Sequence, residues 1–588
     1  MAPSTADTVV VPGGYLQQVV VRWGDPLFSD APPFDPDNQT AAAQERQFGY
    51  NNDFLGLLPL GGDDHLMCVN HEYVTEEMML PGYDPENPTR EQVEVSWAAH
   101  GLSVVAVTGR AYGSRSGALD VVVDHPLNRR FVTATPFALS GPVAGSDLVR
   151  TNADPKGRTV LGTLNNCAGG LTPWGTWLSG EENIDQYFAN AAALAGPDPV
   201  TYRRLRRYGV EDGATGRKWE RFDDRFDVAK EPNEVHRFGW IVEVDPYDAT
   251  STPRKRTALG RFKHEGANVI LAPGRRAVAY MGDDERFEYL YKFVSRDAMR
   301  QGDDAHNANL LDNGTLYVAV LTGDSPEEIT GDGTLPVDGE FDGAGRWVPL
   351  VTSADGVATS HVEGMSGEEA LVFTREAADA VGATKMDRPE DVEPSPRTGV
   401  MYAALTNNTA RTPAQTDEAN PRAFNKFGQI LELVDARNDN TSTTFAWRLM
   451  LVCGDPADPS TYFAGFDKSQ VSPISCPDNL AFDRYGNLWI STDGAGSSIG
   501  SNDALHGVAV DGRRRGQVKQ FLTVPAGAET CGPLVTDERV MVCVQHPGEL
   551  DGASFENRLS HWPDGGGSLP RPAVVAVWRA DGRKIGHA

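Results

Sequence analysis

The sequence predicts an all-β protein, and in particular a six-bladed β-propeller with helical and loop insertions. Three observations lead to this prediction: a repeated two-strand pattern, alternating apolar runs typical of strands, and many turn-forming residues. The chain of 588 residues contains 61 Gly and 39 Pro, which suit many short strands joined by turns. A chain of this length buries an ample core, whether it forms one large propeller or several domains.

The repeated pattern occurs six times, and each copy has a polar entrance, an apolar strand, a turn and a second strand that ends in polar residues. The clearest copies span 476–494 (CPDNLAFDRYGNLWISTDG) and 388–408 (RPEDVEPSPRTGVMYAALTNN). The other copies span 264–284 and 528–546 and, more loosely, 53–72 and 167–182. Such repeats predict a radial architecture in which equivalent strand ends meet at one central funnel. Polar side chains at these ends should therefore converge.

The whole chain, residues 1–588, is predicted to form a single propeller domain. Residues 184–230 interrupt the strand pattern with helix-like and arginine-rich segments, so we expect a helical, basic insertion there. A Gly- and Asp-rich tract within 324–346 predicts a long loop. The last apolar run, AVVAVWRADGRK, is expected to lie beside the N-terminal VVVPGGYLQQVVVRW, because this closure removes free sheet edges.

Charge and composition exclude several classes of protein. The formal net charge of −29 disfavours binding to nucleic acid, whose phosphates attract Lys and Arg. No run of about twenty apolar residues is present, so no membrane-spanning helix is expected. The N-terminal residues show neither the basic start nor the apolar centre of an export signal. The six cysteines form no CxxC pair, which disfavours a disulfide scaffold and a structural zinc site.

Four carboxylates occupy the same entrance position in four copies of the repeat: Glu265, Glu390, Asp478 and Glu529. Each alone could form a turn or an ion pair, but several buried carboxylates near one axis are costly unless cations neutralise them. Ligands that offer only oxygen favour Ca²⁺. Cys167 holds the matching position in another copy, and a thiolate favours iron, zinc or copper. The pattern thus indicates a mixed metal cluster, unless Cys167 is simply a small buried residue.

Arg388 stands two residues before Glu390, and side chains at positions i and i+2 of a strand share a face. The guanidinium should therefore lie beside that carboxylate. Its role is either that of a plain ion-pair partner or that of a clamp for a phosphoryl group. The His-Glu pairs at 71–72 and 264–265 lack the HExxH spacing of zinc proteases.

Seven segments resemble the PhoX family of bacterial alkaline phosphatases, and they occur in the expected order from about residue 70 to residue 546. They are CVNHEYV, NNCAGGLTPWGTWLSGEEN, GRFKHEGA, YMGDDERFEYLYKFVS, RPEDVEPSP, CPDNLAFD and AETCGP. The resemblance implies a six-bladed propeller with two Fe³⁺ ions, two or three Ca²⁺ ions and a bridging oxo group at its centre. It also implies hydrolysis of phosphate monoesters and Tat-dependent export, so that the protein would be periplasmic or secreted.

The resemblance also implies roles for individual residues. Cys167 and Glu265 resemble iron ligands. The other iron and calcium ligands that it implies, without assignment to one ion, are Glu181, Glu182, Asp283, Glu390, Asp478 and Glu529. Arg388 resembles the family's phosphate-binding arginine. The predicted catalytic residues are Arg388, Cys167, Glu265 and Glu390, and further candidates are His71, Glu72 and Asn479. Gly180 stands where many members have a cysteine, which leaves no second thiol at that position.

The mechanism that the resemblance implies is metal-ion catalysis, with an oxo or hydroxide nucleophile in line with the phosphate. Arg388 would stabilise the charge that develops on the equatorial oxygens. We expect a small-molecule phosphomonoester substrate, no nucleic-acid partner, no membrane association and a monomer. Two alternatives remain open. One is a propeller that uses calcium alone as a lactonase or phosphotriesterase, and the other is a non-catalytic propeller that binds a sugar or a partner.

Overall fold

β-Strands form most of the regular structure in the computed structural model, which describes residues 1–109 and 117–586. Numbered in chain order, the strands are β1 (Tyr15–Arg22), β2 (Asn52–Gly61), β3 (Asp64–His71), β4 (Gly101–Gly109), β5 (Leu119–Val121), β6 (Arg129–Phe131), β7 (Pro136–Ser140), β8 (Thr159–Leu161), β9 (Asn166–Leu171), β10 (Trp177–Glu181), β11 (Ile241–Val244), β12 (Arg254–Arg256), β13 (Asn268–Leu271), β14 (Arg276–Gly282), β15 (Leu290–Ala298), β16 (Gly314–Gly323), β17 (Asp342–Ala354), β18 (Val357–Ser360), β19 (Pro389–Pro394), β20 (Met401–Leu405), β21 (Gln429–Asp435), β22 (Thr444–Val452), β23 (Tyr462–Phe463), β24 (Pro477–Phe482), β25 (Leu488–Thr492), β26 (Ala504–Val508), β27 (Val518–Thr523), β28 (Glu529–Val535), β29 (Val540–Gln545) and β30 (Ala573–Arg579). The predicted all-β class is confirmed.

Among the described residues the sheets contain six runs of four strands, and within each run successive strands pair antiparallel. The runs are β2–β5, β9–β12, β13–β16, β19–β22, β24–β27, and β28–β30 followed by β1. Two of these runs, β13–β16 and β19–β22, belong to one 11-stranded sheet because β17 pairs with both β16 and β22. The other runs lie in four separate sheets.

The first strands of the six runs surround a common centre. They contact one another in the cyclic order β2, β9, β13, β19, β24, β28 and back to β2. A cavity of about 330 Å³ is lined by residues from all six, among them Phe54, Leu171, Ile270, Phe482 and Leu534. Side chains at the starts of these strands are therefore brought toward one region.

Local sequence explains both the buried strands and the turns between them. Strands that are buried on both faces appear as continuous apolar runs, and β29 (VMVCVQ) is buried along its whole length. Glycine makes the turn in the two clearest copies of the repeated two-strand pattern. Gly399 between β19 and β20 has a φ of 74°, and Gly486 between β24 and β25 has a φ of 88°. Residues with a Cβ adopt such angles only at a cost.

The α-helices are short and lie outside the six runs. They are α1 (Ala41–Gln44), α2 (Glu76–Met79), α3 (Arg90–Ala99), α4 (Pro199–Arg207), α5 (Asp304–Asn307), α6 (Gly367–Val372), α7 (Thr374–Ala380) and α8 (Ala495–Ser498). Helix α4 lies in the segment 184–230, where a helical insertion is predicted, together with 3₁₀ helices from 184–187 to 224–226, and a further 3₁₀ helix at 234–237 follows this segment. The helix α4 begins at Pro199. Asp198 is its N-cap residue, and the Asp198 side chain accepts a hydrogen bond from the backbone N–H of Thr201.

Two sequence predictions concern the loop and the termini. The loop predicted at 324–346 is shorter, because residues from Asp342 onward form β17. Gly343, which suggested a loop, allows close pairing with β16: a Cβ there would lie 2.1 Å from the carbonyl oxygen of Thr322. The predicted pairing of the two termini is confirmed, since β1 pairs antiparallel with β30 and Tyr15 lies opposite Arg579.

The largest apolar cluster joins the segment between β10 and β11 to the sheets. Tyr187, Trp219 and Phe226 of this segment are buried in one cluster with Leu178 of β10 and Ile241 of β11.

In residues 1–109 and 117–586, none of the helices combines the length and apolar character that a bilayer crossing requires. The single domain predicted for 1–588 remains a prediction, and residues 110–116 and 587–588 of it lie outside the described ones.

Candidate active site

Polar side chains at the strand ends meet at one side of the central space. The first strands carry them near their starts: Asp53 in β2, Cys167 in β9, Glu390 in β19, Asp478 in β24 and Glu529 in β28, while Glu265 lies shortly before β13. The second strands carry them just beyond their ends: Glu72 after β3, Glu182 after β10 and Asp284 after β14. The repeated pattern thus places acceptor groups at equivalent positions.

Four overlapping groups of side chains have their ligand atoms within 4.8 Å of one another. They are Asp53–Glu529–Cys531, Asp53–Glu72–Cys167, Cys167–Glu182–Glu265 and Glu265–Asp284–Glu390. Every member is buried, and each group shares a residue with another. We call these residues, together with Asp478, the central cluster. Of the predicted ligands, the structure brings Cys167, Glu182, Glu265, Glu390 and Glu529 into these groups.

Several oxygens of the central cluster lack partners. Oδ1 of Asp53, Oδ1 of Asp284 and Oδ2 of Asp478 are buried and accept no hydrogen bond from the described residues. Burying such an oxygen costs free energy unless a donor or a cation satisfies it. Carboxylates are ligands for hard cations, and a thiolate adds a ligand for softer ones. The donor set therefore fits bound metal ions.

Burial changes the protonation of the central cluster. It raises the pKa of Glu182, Glu265 and Asp478 well above the ordinary carboxyl value, and repulsion from neighbouring carboxylates adds to the shift. Burial, followed by the charges of Asp53 and Glu265, also raises the pKa of the Cys167 thiol. Sγ of Cys167 lies 3.3 Å from Oε1 of Glu265. Bound cations would reverse these shifts because they favour the ionised carboxylates and thiolate.

Arg388 places a positive charge at the edge of the central cluster. Its Nη2 lies 2.6 Å from Oδ2 of Asp284 and 3.1 Å from Oε1 of Glu390. The Arg388 side chain is 25% exposed, whereas the two carboxylate side chains are 4% and 5% exposed. Burial lowers the pKa of the guanidinium, but Asp284 and Glu390 outweigh burial, so the pKa is raised. The predicted proximity of Arg388 to Glu390 is therefore observed.

Glu181, a predicted ligand, is directed away from the cluster. Its Oε1 accepts a hydrogen bond from Nζ of Lys255 at 2.6 Å, and its Oε2 accepts from the backbone N–H groups of Gly239 and Trp240. Both side chains of the Glu181–Lys255 pair are fully buried. Since adjacent residues on extended backbone face opposite sides, Glu182 faces the cluster.

The same alternation separates two other adjacent pairs. Asp283, also a predicted ligand, forms a buried bidentate ion pair with Arg375 and does not join the groups found among the described residues. His71 is held by the carbonyl oxygen of Tyr50 and the hydroxyl of Ser103, at 3.0 Å and 2.7 Å. In both pairs the second residue faces the cluster instead.

Asn479 and Cys531 form hydrogen bonds with the cluster residues Asp478 and Glu529. Nδ2 of Asn479 donates to Oδ1 of Asp478 at 3.2 Å, and its Oδ1 accepts from the N–H of Gly532 at 2.8 Å. Sγ of Cys531 lies 2.9 Å from Oε1 of Glu529. Asn479 therefore orients Asp478 from the side opposite the unpartnered oxygen.

The sequence prediction missed three members of the central cluster: Asp53, Asp284 and Cys531. Asp53 opens one of the two looser copies of the repeat, where its position matches that of Cys167 in β9. Asp284 directly follows Asp283, which was predicted as the ligand instead. Only the entrance position of Asp53 offered a usable signal, and Cys531 offered none beyond its place two residues after Glu529.

Gly180 is explained by close packing beside the cluster. A Cβ at this position would lie 2.3 Å from the carbonyl oxygens of His264 and Glu265. Glycine thus lets the end of β10 approach the segment that carries Glu265. A cysteine side chain there would require this segment to move.

A comparison with family models places the chain in a class of enzymes, the phosphatases. The model described as "Alkaline phosphatase PhoX" matches residues 1–548. The chain therefore belongs to the PhoX alkaline phosphatase family, and it is an enzyme. The family resemblance inferred from the seven segments is confirmed.

A solved structure agrees with this assignment. A structure described as Pseudomonas fluorescens PhoX in complex with vanadate, a transition state analogue, is 39% identical, with a TM-score of 0.87. The alignment covers 100% of this chain and 98% of that one. A protein of unknown function from Dyadobacter fermentans is 8% identical and has a TM-score of 0.35, and the alignment covers 97% of this chain and 100% of that one. A comparison with curated proteins finds no match.

Proposed function

We propose that the protein is a metal-dependent alkaline phosphatase that hydrolyses phosphate monoesters at the central cluster. The observation that carries this proposal is the partly exposed guanidinium of Arg388 beside a buried set of carboxylates and the Cys167 thiol. Such a site offers cations for the oxygens of a phosphoryl group and an arginine suited to bind them. The vanadate complex of the 39% identical Pseudomonas fluorescens structure supports the same chemistry.

The architecture that we propose is a six-bladed β-propeller. Its support is the set of six four-stranded antiparallel runs whose first strands contact one another in cyclic order. In this arrangement each run is one blade, and β1 completes the blade that ends with β30. The central cluster would then lie at one mouth of the propeller axis.

We further propose two Fe³⁺ ions and two or three Ca²⁺ ions at the central cluster. Cys167, Glu182 and Glu265 would hold iron, because this group contains the thiol. Oxygen-only positions, such as Asp478 with its unpartnered Oδ2, would hold calcium. When bound, these ions would neutralise phosphate oxygens and activate the attacking oxygen.

Arg388 would bind the phosphoryl group and stabilise charge that develops on its equatorial oxygens. In the structure its guanidinium is held by Asp284 and Glu390. With cations bound beside them, Asp284 and Glu390 would attract the guanidinium less strongly and would leave its fork available to the phosphate. The two carboxylates would then orient the arginine instead of neutralising it.

The remaining parts of the proposal concern substrate, assembly and location. A small phosphomonoester is the expected substrate, because the cluster is buried and Arg388 is only partly exposed. The net charge of −29 opposes a nucleic-acid partner. We propose that the protein is a monomer. We also propose that it acts in the periplasm or outside the cell, and this location is what the family resemblance implies.

Elemental analysis combined with an assay on p-nitrophenyl phosphate tests the proposal. Protein purified without chelator should contain iron and calcium and should hydrolyse this ester. Chelation should remove both the metals and the activity. Full activity after removal of iron would favour a site that uses calcium alone, and metal-loaded protein without activity on phosphomonoesters would overturn the proposal.

A further inference from the structure

A chain of hydrogen bonds, partly buried at Arg217 and Gln186 and fully buried at Asn165, leads from the helical segment between β10 and β11 to the cluster residue Glu72. Nε and Nη2 of Arg217 donate to Oε1 of Gln186 at 2.9 Å and 2.7 Å. Nε2 of Gln186 donates to Oδ1 of Asn165 at 2.8 Å, and Nδ2 of Asn165 donates to Oε1 of Glu72 at 2.9 Å. Four side chains thus form a continuous relay of donors and acceptors.

The far end of this relay is anchored to the segment that follows Glu72. Nη1 of Arg217 donates to both carboxylate oxygens of Glu76, at 2.9 Å and 3.0 Å, and to the carbonyl oxygen of Val74 at 3.1 Å. The side chains of Arg217 and Glu76 are only 11% and 7% exposed. One guanidinium therefore fixes both the relay and the backbone just beyond Glu72.

The relay determines which atom of Asn165 faces Glu72. Oδ1 of Asn165 accepts from Gln186, so its amino group must point at the Glu72 carboxylate. The other oxygen of Glu72 accepts from Nε2 of Gln545 at 2.9 Å, and this amide also donates to Asp53 at 3.0 Å. With one donor on each oxygen, the orientation of the carboxylate toward the group of Asp53 and Cys167 is set.

We propose that Arg217, acting through Gln186 and Asn165, is a positioning residue for Glu72 as a metal ligand. This inference rests on the proposed metal-dependent function. Hydrogen-bonded partners of metal ligands fix ligand orientation, and their loss weakens metal binding by about ten- to a hundredfold. The segment between β10 and β11 would then be part of the metal site, although its helices lie outside the six strand runs.

The variant Gln186→Glu separates this role from a general effect on folding. It keeps the acceptor for Arg217 and the size of the side chain, but it removes the donor to Asn165. The amide of Asn165 is then free to turn its oxygen toward Glu72, which disfavours the required orientation. We expect calcium affinity, measured by calorimetry on chelator-treated protein, to fall about ten- to a hundredfold. Iron content after purification should fall as well.

Arg204→Met is the matched control. Arg204 also belongs to this segment and also pairs with two carboxylates, those of Glu369 and Glu376, both at 3.2 Å. Glu369 lies in α6 and Glu376 lies in α7, and neither takes part in the relay. This variant should lower the melting temperature and leave calcium affinity unchanged.

The outcomes distinguish the inference from the proposed function. Equal calcium affinity and equal iron content in Gln186→Glu and the unmodified protein would overturn the positioning role alone. The same holds if Arg204→Met weakens metal binding as much as Gln186→Glu does. An unmodified protein that takes up no metal would overturn the proposed function and, with it, this inference.

Discussion

Nη2 of Arg388 lies 2.6 Å from Oδ2 of Asp284, although the two residues are 104 positions apart in the sequence. The other oxygen of Asp284 is buried and receives no hydrogen bond from any described residue. The carboxylate can therefore hold the guanidinium with one oxygen and a cation with the other. Asp284 thus links the proposed phosphate-binding arginine to the proposed metal site.

Replacement of Arg388 should reduce catalysis without removal of the metals. For Arg388→Met we expect kcat/KM on p-nitrophenyl phosphate to fall about 10²- to 10³-fold, the usual cost of losing one charge-stabilising donor. Arg388→Lys should fall between this variant and the unmodified enzyme, because lysine keeps the charge but lacks the fork. Elemental analysis should find the metal content of both unchanged. Unaltered kinetics in Arg388→Met would show that the arginine is only an ion-pair partner.

Replacement of Cys167 should remove iron and activity together. The thiol is buried next to Glu265, and Cys167→Ala removes the soft ligand of its group. Cys68→Ala is the matched control, since Cys68 is a buried cysteine of β3 that packs in an apolar cluster. The control should retain both iron and turnover, although it loses some stability. Iron-replete, active Cys167→Ala would refute the role of this residue as a ligand.

Glu181 and Glu182 should respond in opposite ways to the same substitution. Glu181→Gln leaves Lys255 buried without a charged partner, so we expect a loss of about 3–5 kcal/mol in the free energy of unfolding. Its metal content should remain that of the unmodified protein. Glu182→Gln should instead lose metal and activity with a smaller change in stability. Denaturant unfolding and elemental analysis of both variants provide the measurements, and a reversed pattern would contradict the assignment.

The pH dependence of stability should differ between metal-free and metal-loaded protein. Burial and then neighbouring charges raise the pKa of Glu265 and Asp478 in the folded metal-free state. The folded chain then binds more protons than the unfolded chain above the ordinary carboxyl pKa, so stability falls as pH rises through this window. Bound cations hold the same groups ionised, which removes the effect.

The quantity to measure is therefore the gap in melting temperature between the two forms. It should widen as the pH rises from about 5 to about 8, above the ordinary carboxyl pKa values. Because all other titrating groups are common to both forms, their contributions largely cancel. If the difference in melting temperature stays constant across this pH range, metal binding does not change the protonation of Glu265 and Asp478, and the prediction is wrong.

The sequence predicted most of the segments that carry cluster residues, but not which way adjacent residues in them face. Strand ends with two polar neighbours, such as Glu181-Glu182, gave no basis for a choice. Alternation would decide between them if the register were regular, yet the pairing of β9 with β10 shifts between Ser179 and Glu181. Similar shifts occur at Asn52 in β2 and at Pro477 in β24. These irregularities come from contacts between strands, which a local pattern does not contain.

Contacts distant in sequence also limited the prediction for residues 184–230. The arginines of this segment indicated a helical, basic insertion in the strand pattern, with no sign of a connection to particular site residues. In the structure, Arg217 reaches Glu76, 141 positions earlier, and Gln186 reaches Asn165. Each of these partners is an ordinary polar residue in the sequence. Only the folded arrangement shows that they are connected to Glu72.

The pairing of β1 with β30 has a consequence for synthesis of the protein. Tyr15 and Arg579 face each other across 564 positions, so a ribosome delivers one strand long before its neighbour. Until translation nears completion, β1 presents an unpaired edge that invites aggregation. Of the cluster residues, Asp53 is likewise synthesised early and Glu529 late. Binding of the proposed cations therefore requires a nearly finished nascent chain.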